Sequence, residues 1–374
     1  MTKAAMKRLL VVNTGSSSVK FRLFGISDDL PLIAGGKITE IGGDASFKAK
    51  LEGGAELSEK LPADTTHETA IFRVLSWLDQ SAIKSINAVA HRIVHGGDRY
   101  ADPVLLDDKA IEYLRSLNSL APLHQPHNLS GVDILQRKMP HIVQYGCFDT
   151  AFHARHEELF STFALPENIR GKGVKRYGFH GLSYDWIAHK IKEDLPHLEK
   201  ARIVVAHLGN GASLCAMKDG KSIDTTMGMT ALDGLPMGTR CGAIDAGAVI
   251  YMIRDLQLDV GEVERLLYED SGLKGLSGLT NDVKTLSGSH SERAAFSLDY
   301  FSLKTAQHIV AMAVSIGGID GLIFTGGIGE NAPDIRQKIL GHLSFLPAFE
   351  HHVIAANEER SMALEIFERF RKDF

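Results

Sequence analysis

Residues 11–24 read VVNTGSSSVKFRLF, and how that stretch folds decides the architecture. The apolar runs at 9–12 and 19–24 have strand composition, so the segment between them is a turn presented at the tip of two strands. That turn holds only glycine and small polar residues. Glycine permits close backbone approach and the hydroxyls supply donors, which suits the turn to wrapping phosphate oxygens, with Lys20 adding charge.

The same device occurs again at 203–213, IVVAHLGNGAS, where an apolar strand runs into Gly, Asn and Ser. It continues as LCAMKDGKSIDTT, with Asp219-Gly220 as a hairpin turn. Superimposing the copies sets Asn13 against His207 and Gly15 against Gly209, so the chain reads as two similar halves, each opening with a β-meander. Helical patterns follow at 68–80 and 107–117 in the first half, and at 260–269 and 291–314 in the second. Two mixed-sheet α/β domains with a cleft between them are expected. Residues 35–66 have little periodicity and read as strands joined by mobile loops. An amphipathic final helix from 358 is expected to return to the first half, which gives domains 1–148 plus 359–374 and 149–358.

Composition narrows the function. With 374 residues and 44% hydrophobic content the chain can fill more than one core. Lys and Arg number 41 against 46 Asp and Glu, without a basic block, so a nucleic-acid or membrane-surface role has little support and a small-molecule partner is favoured. Cys147, Cys215 and Cys241 lack CxxC spacing and point to a reducing compartment. The apolar part of the N-terminus is too short for a signal-peptide core, and the longest apolar region, 308–329, is broken by Asp320 and glycines. A soluble, cytoplasmic protein is expected.

A third Gly-rich turn, LIFTGGIGENAPDI, reads as a strand end followed by a helix opening at Asn331-Ala332-Pro333, with free amides suited to an anion or polar ligand. Other nucleotide signatures fail. A Walker A loop ending in Gly220-Lys221-Ser222 needs glycine at position 215, which is Cys. GxGxxG is absent from both Gly-rich turns of the second half.

Five motifs in order, NTGSSSVK, RYGFHGLS, VVAHLGNGASLCAMKDG, MGTRCG and FTGGIGEN, resemble the signatures of the acetate kinase family, within the actin, heat-shock chaperone and sugar kinase superfamily. The resemblance runs from about residue 8 to about 360. It implies two duplicated ribonuclease H-like (actin-like ATPase) domains with an interdomain cleft, reversible phosphoryl transfer between ATP and acetate giving acetyl phosphate and ADP, Mg2+ (or Mn2+), and a homodimer. Carried onto this chain, it implies Arg92, Asp149, His180 and Arg240 as catalytic residues. Arg92, Val94, Leu123, Phe179 and Ala231 would bind the acid. Ser16, Ser18, Lys20, His207, Gly209, Asn210, Gly211, Asp282, Lys284, Gly326, Gly327, Ile328, Gly329 and Asn331 would bind nucleotide. Asn13, Asp149 and Glu358 would surround the metal. His124 matches a further active-site position; a zinc reading of His124 and His127 is disfavoured by Pro126 between them.

Two departures bear on specificity. The family usually has Asp-x-Arg where this chain has Asp282-Val283-Lys284, and Lys lacks the planar fork of Arg. The acyl pocket commonly has proline where Ala231 stands, which leaves more space and suggests tolerance of longer acids. Rival readings are a propionate or other short-chain carboxylate kinase, an ATP-hydrolysing module that drives a partner, and a silent relative weakened at Lys284.

Overall fold

In the computed structural model, residues 6–83, 85–122 and 124–372 are described. The chain divides into two compact units, one running to Ala151 and resuming at Asn357, the other Phe152–Ala356. Asp149 and Glu358 therefore both belong to the first unit.

The first unit opens with an antiparallel meander of β1 (Arg8–Thr14), β2 (Val19–Gly25), β3 (Leu32–Thr39), β4 (Ser46–Leu51) and β5 (Glu56–Lys60). Next, β6 (Ala88–Ile93) pairs parallel to β1, the two-residue β7 (Val104–Leu105) lies at the far edge, and β8 (Val143–Phe148) pairs parallel to β6. In the second unit β9 (Arg202–Leu208), β10 (Ala212–Lys218) and β11 (Lys221–Thr225) form a shorter meander. There β12 (Gly321–Thr325) and β13 (Glu350–Val353) add in parallel beside β9. The two sheets share a core: β3-β2-β1-β6-β8 in one and β11-β10-β9-β12-β13 in the other have the same order and directions. Even the alternation along β1 and β9 is the same, with the half-buried positions at the start and at Asn13 or His207.

The parallel strands matter for the site, because residues at their carboxyl ends lie side by side where the chain leaves the sheet. Apolar packing fixes that frame. The helix His67–Gln80, started by a Thr66/Thr69 capping box, buries Ile71, Val74, Trp77 and Leu78. Trp77 stands edge-on to Phe21 and Phe47, at 5.9 and 6.0 Å. Burial of each such side chain stabilises the unit by roughly 1.5–3 kcal/mol. The returning helix Glu358–Phe370 buries Met362, Ala363 and Ile366 and packs against β1, β2 and β6.

Residues 35–66 hold the expected strands, with β3, β4 and β5 paired in continuous register. Several expectations change. The helices Gln125–Lys138 and Gly181–Asp194 have no counterpart in the sequence reading, because each buries glycine and small polar residues alongside its apolar ones and its periodicity is weak. The third Gly-rich turn also differs, since helix begins at Gly326, runs to Asn331, and restarts at Pro333. No described helix is long and apolar enough to cross a membrane.

Candidate active site

In the first unit the carboxyl ends of β1, β6 and β8 are neighbours. Val12 pairs with His91 and Arg92 with Cys147, so Asn13, Arg92 and Asp149 fall on adjoining strand ends. Arg92 Nε donates to Asp149 Oδ1 at 2.9 Å and Nη2 to Oδ2 at 2.7 Å, while Nη1 lies 3.0 Å from Glu358 Oε2. Asp149 is 2% exposed. Burial pushes its carboxyl up from the ordinary value, with Arg92 pulling the other way. The same burial lowers Arg92, but attraction to Asp149 and then Glu358 outweighs it and raises the guanidinium further. Two short N–H···O contacts to one carboxyl are the geometry of a charge-assisted bidentate pair.

The turn after β1 is closed by Gly15 N donating to Ser18 O at 2.8 Å. Ser16 and Lys20 are exposed and Ser18 is half-buried. Two groups that the sequence reading missed hold this turn: His67 Nε2 sits 2.7 Å from Gly15 O, and Asn128 bridges β1 to β6 by donating to Thr14 O and accepting from Val94 N. Their signal is absent locally, since His67 lies 52 residues from its partner. Val94 is buried; His124 precedes the helix Gln125–Lys138; Leu123 lies outside the described residues. Thr14 Oγ1, buried at the end of β1, has no hydrogen-bond partner, and neither has Thr325 Oγ1 at the end of β12.

In the second unit the Gly209–Gly211 turn is one residue tighter than its counterpart, with Gly209 N donating to Gly211 O at 3.0 Å. Thr325 pairs with His207, so the Gly326 turn emerges beside it. Gly326 has φ +78, and a Cβ there would stand 2.7 Å from Leu208 O, so only glycine fits. Asn331 Nδ2 donates to Gly327 O, and Gly326 N to Glu330 Oε1. The amides expected free at 331–333 are therefore not so: Ala332 N donates to Ile328 O at 3.0 Å, and Pro333 has none. Gly327 is exposed, Ile328 half-buried and Gly329 buried. Asn210 O accepts from Gly238 N, and Asn210 Oδ1 accepts from Asn281 Nδ2 at 2.8 Å, another contact the sequence did not signal. Asp282 caps the helix Val283–Ser287, which carries Lys284.

His180 has φ +59 and precedes the helix Gly181–Asp194. Its ring stacks on that of His207 at 4.3 Å, and its Nδ1 lies 2.8 Å from Ser213 Oγ, which in turn meets Tyr184 Oη at 2.6 Å. A Cβ placed on Gly211 would stand 3.2 Å from His180 Nε2 and 3.8 Å from Arg240 Nη1, so imidazole, guanidinium and turn converge. Arg240 Nη1 donates to Ala231 O at 3.0 Å. Burial moves the Arg240 guanidinium down from its ordinary value. Behind them, the buried Phe179 offers its carbonyl to His153 Nε2 at 3.0 Å; His153 Nδ1 and His156 Nε2 both reach Ser222 Oγ, at 2.7 and 2.6 Å. Burial lowers His153 to about 3 and His156 to about 4, so both are neutral and fix the backbone that carries His180.

Asn13, Asp149 and Glu358 supply oxygen donors, which suits a hard cation that needs only one or two carboxylates and keeps its waters. Among the described residues no group of three or more His, Cys, Asp or Glu forms a metal cluster.

The acetokinase family model matches residues 8–363. An acetate kinase of Methylocella silvestris is 41% identical over 351 residues, covering 90% of this chain and 87% of the relative. The structure is similar to that of a propionate kinase from Francisella tularensis, with TM-score 0.90, 33% identity, and 96% and 99% of the two chains covered. It is also similar to an acetate kinase from Porphyromonas gingivalis, with TM-score 0.86, 32% identity, and 97% and 100% covered. The duplicated mixed sheets are thus those of the actin-like ATPase fold. On the family match and the extent of these similarities, this chain belongs to the acetokinase family.

Proposed function

We propose that this protein is an acetate kinase, which moves the γ-phosphoryl group of ATP to acetate and gives acetyl phosphate and ADP in a reversible reaction. The observation that carries the reading is the convergence of His180 and Arg240 on the Gly209–Gly211 turn, in a chain 41% identical to a protein named acetate kinase.

The chemistry asks little of a base. Acetate is ionised at neutral pH, so it is already a nucleophile, and the obstacle is repulsion between two anions. At ~4 Å, two unit charges repel by about 4 kcal/mol at an effective dielectric of 20. Arg92 and Arg240 are the cations we assign to offset this, with Arg92 orienting the acid and Arg240 facing the transferring group. We assign Ser213 as the donor to His180 Nδ1, which leaves the imidazole proton on Nε2 for a phosphoryl oxygen. Gly209, Asn210, Gly211 and the 326–331 segment hold the ADP portion, while Ser16, Ser18 and Lys20 line the phosphate end. Asn13, Asp149 and Glu358 are the residues that would hold Mg2+. When bound, that ion neutralises phosphate charge.

A propionate kinase is the second reading, favoured by the likeness to the Francisella enzyme and by Ala231, whose small side chain leaves room in the pocket. We further propose a cytoplasmic homodimer. The helix Ala246–Arg254 is apolar yet buries none of its residues, with Ile250 and Tyr251 56% and 53% exposed. An apolar surface of this kind suits an isologous contact with a second copy. Sedimentation should give a dimer that an Ile250→Glu/Tyr251→Glu variant converts to monomer, and a monomeric wild type would refute it. For the activity, Arg240→Gln and Arg92→Lys should each lower acyl phosphate formation at least 100-fold. An ATPase module driving a partner would instead keep its ATP turnover in both variants.

A further inference from the structure

The first sheet carries a set of cations of which the reaction above uses only Lys20. Lys20 pairs with Lys37 and Lys37 with Lys48, so three lysines stand side by side across β2, β3 and β4. Two residues along, on the same face, the next row holds Arg22, Gly35 and Lys50. The four lysines are exposed and Arg22 is half-buried. Arg22 lies over Gly35, where a Cβ would stand 3.2 Å from its Cδ and 3.4 Å from Nη1. Among the described residues, none of the five cations has a carboxylate within 4.0 Å. Together they line a groove of about 450 Å³, whose carboxylates Glu52, Glu56 and Glu359 do not close on them.

Neighbouring strands are only about 4.8 Å apart, and like charges directly opposite one another destabilise a sheet. Three in a row, with two more about 7 Å away along the strands, form an array whose one directly paired carboxylate is Glu56, opposite Lys50. The lysines occupy the outward positions of β2–β4 while Phe21, Phe47 and Ala49 fill the inward ones, so the sheet's alternation holds the charges together. We propose that this face is a binding site for a small linear oligophosphate, an anion whose charges repeat every few ångströms and can lie along the Lys20–Lys37–Lys48 row. Lysines suit phosphate as point charges. The one aromatic lining residue, Phe21, is buried to 1% exposure, so the groove offers no stacking platform for a nucleobase or a single-stranded nucleic acid.

The test uses the full chain, with ADP saturating the nucleotide site, and inorganic tripolyphosphate as the probe in calorimetry without divalent metal. Wild type should bind one equivalent more than a Lys37→Gln/Lys48→Gln variant, with affinity falling at least tenfold between 50 and 200 mM salt as the charges are screened (about 10 Å Debye length at 0.1 M). Lys37→Arg/Lys48→Arg should restore it. Without the anion, the Gln variant should melt about 1 °C higher, because it relieves repulsion. Equal stoichiometry and affinity in wild type and the Gln variant would overturn the site. Citrate binding as tightly as tripolyphosphate, or single-stranded DNA doing so, would overturn the assignment to a small oligophosphate.

Discussion

Replacing Arg92 with leucine should expose how much of the first unit depends on one guanidinium. Arg92 makes a bidentate contact with Asp149 and a third contact, at 3.0 Å, with Glu358. With Arg92 gone, a carboxylate that is 2% exposed is left beside a second carboxylate. Breaking a buried ion pair from one side costs roughly 3–5 kcal/mol. At about 2–4 °C per kcal/mol for a unit of this size, the first unit should melt about 6–20 °C lower at pH 7.5. The deficit should also depend on pH. Burial already raises the Asp149 carboxyl, and losing Arg92 raises it further. The folded variant then holds a proton that the unfolded chain releases, so its stability rises as pH falls through that raised value toward the unfolded one. Calorimetry at pH 7.5, 6.5 and 5.5 should show the gap to wild type narrowing with acid, and Asp149→Asn in the Arg92→Leu background should recover part of the loss. A variant as stable as wild type at pH 7.5, or a deficit unchanged by acid, would refute the reasoning.

Three further outcomes are expected. Gly326→Ala puts a methyl 2.7 Å from Leu208 O at φ +78, so ADP binding by calorimetry should weaken at least tenfold, while Gly341→Ala, which meets nothing within 4 Å, should not change it. Ala231→Pro should lower the propionate-to-acetate preference in kcat/KM, within the ~10 to 200-fold that one methylene is worth, because Pro keeps the carbonyl that accepts from Arg240; an unchanged ratio would count against Ala231 as the size filter. Burial lowers His91 to about 4, His153 to about 3 and His156 to about 4, below the unfolded value of 6.5. Their contribution to stability is whole above pH 6.5 and is lost as pH falls toward 4, by up to about 1.4 kcal/mol per unit for each group; urea midpoints that do not fall between pH 7 and 5 would show these histidines are not held neutral.

Much of the architecture was legible because the two halves repeat the same device. NTGSSS and HLGNGAS each interrupt an apolar strand, and aligning Asn13 with His207 gives the register the sheets adopt. The meanders and the helices at 68–80, 107–117, 260–269 and 291–314 follow strong apolar periodicity, and observed boundaries lie within one residue of those positions. What escaped was set by long-range packing. The helix Gly181–Asp194 buries Gly181 and Ser183 because it closes on β9, where Ser183 Oγ meets His207 Nδ1. The supports within each unit, His67 on Gly15 and Asn128 on Thr14 in the first, and Ser222 with His153 and His156 behind Phe179 in the second, join residues dozens of positions apart. No local pattern encodes them. In the 326–333 segment the glycines were read as a loop, whereas positive φ at Gly326 turns the chain directly into helix.

Phosphoryl transfer to a short carboxylate is what the assigned residues have to perform. Phosphorus NMR of the purified protein with Mg-ATP and, in parallel, acetate, propionate, butyrate or no acid tests it directly. An acyl phosphate resonance strongest with acetate, and slow ATP loss in its absence, are expected. A stronger signal with propionate would move the assignment to that acid, and ADP with free phosphate but no acyl phosphate in any tube would contradict the account.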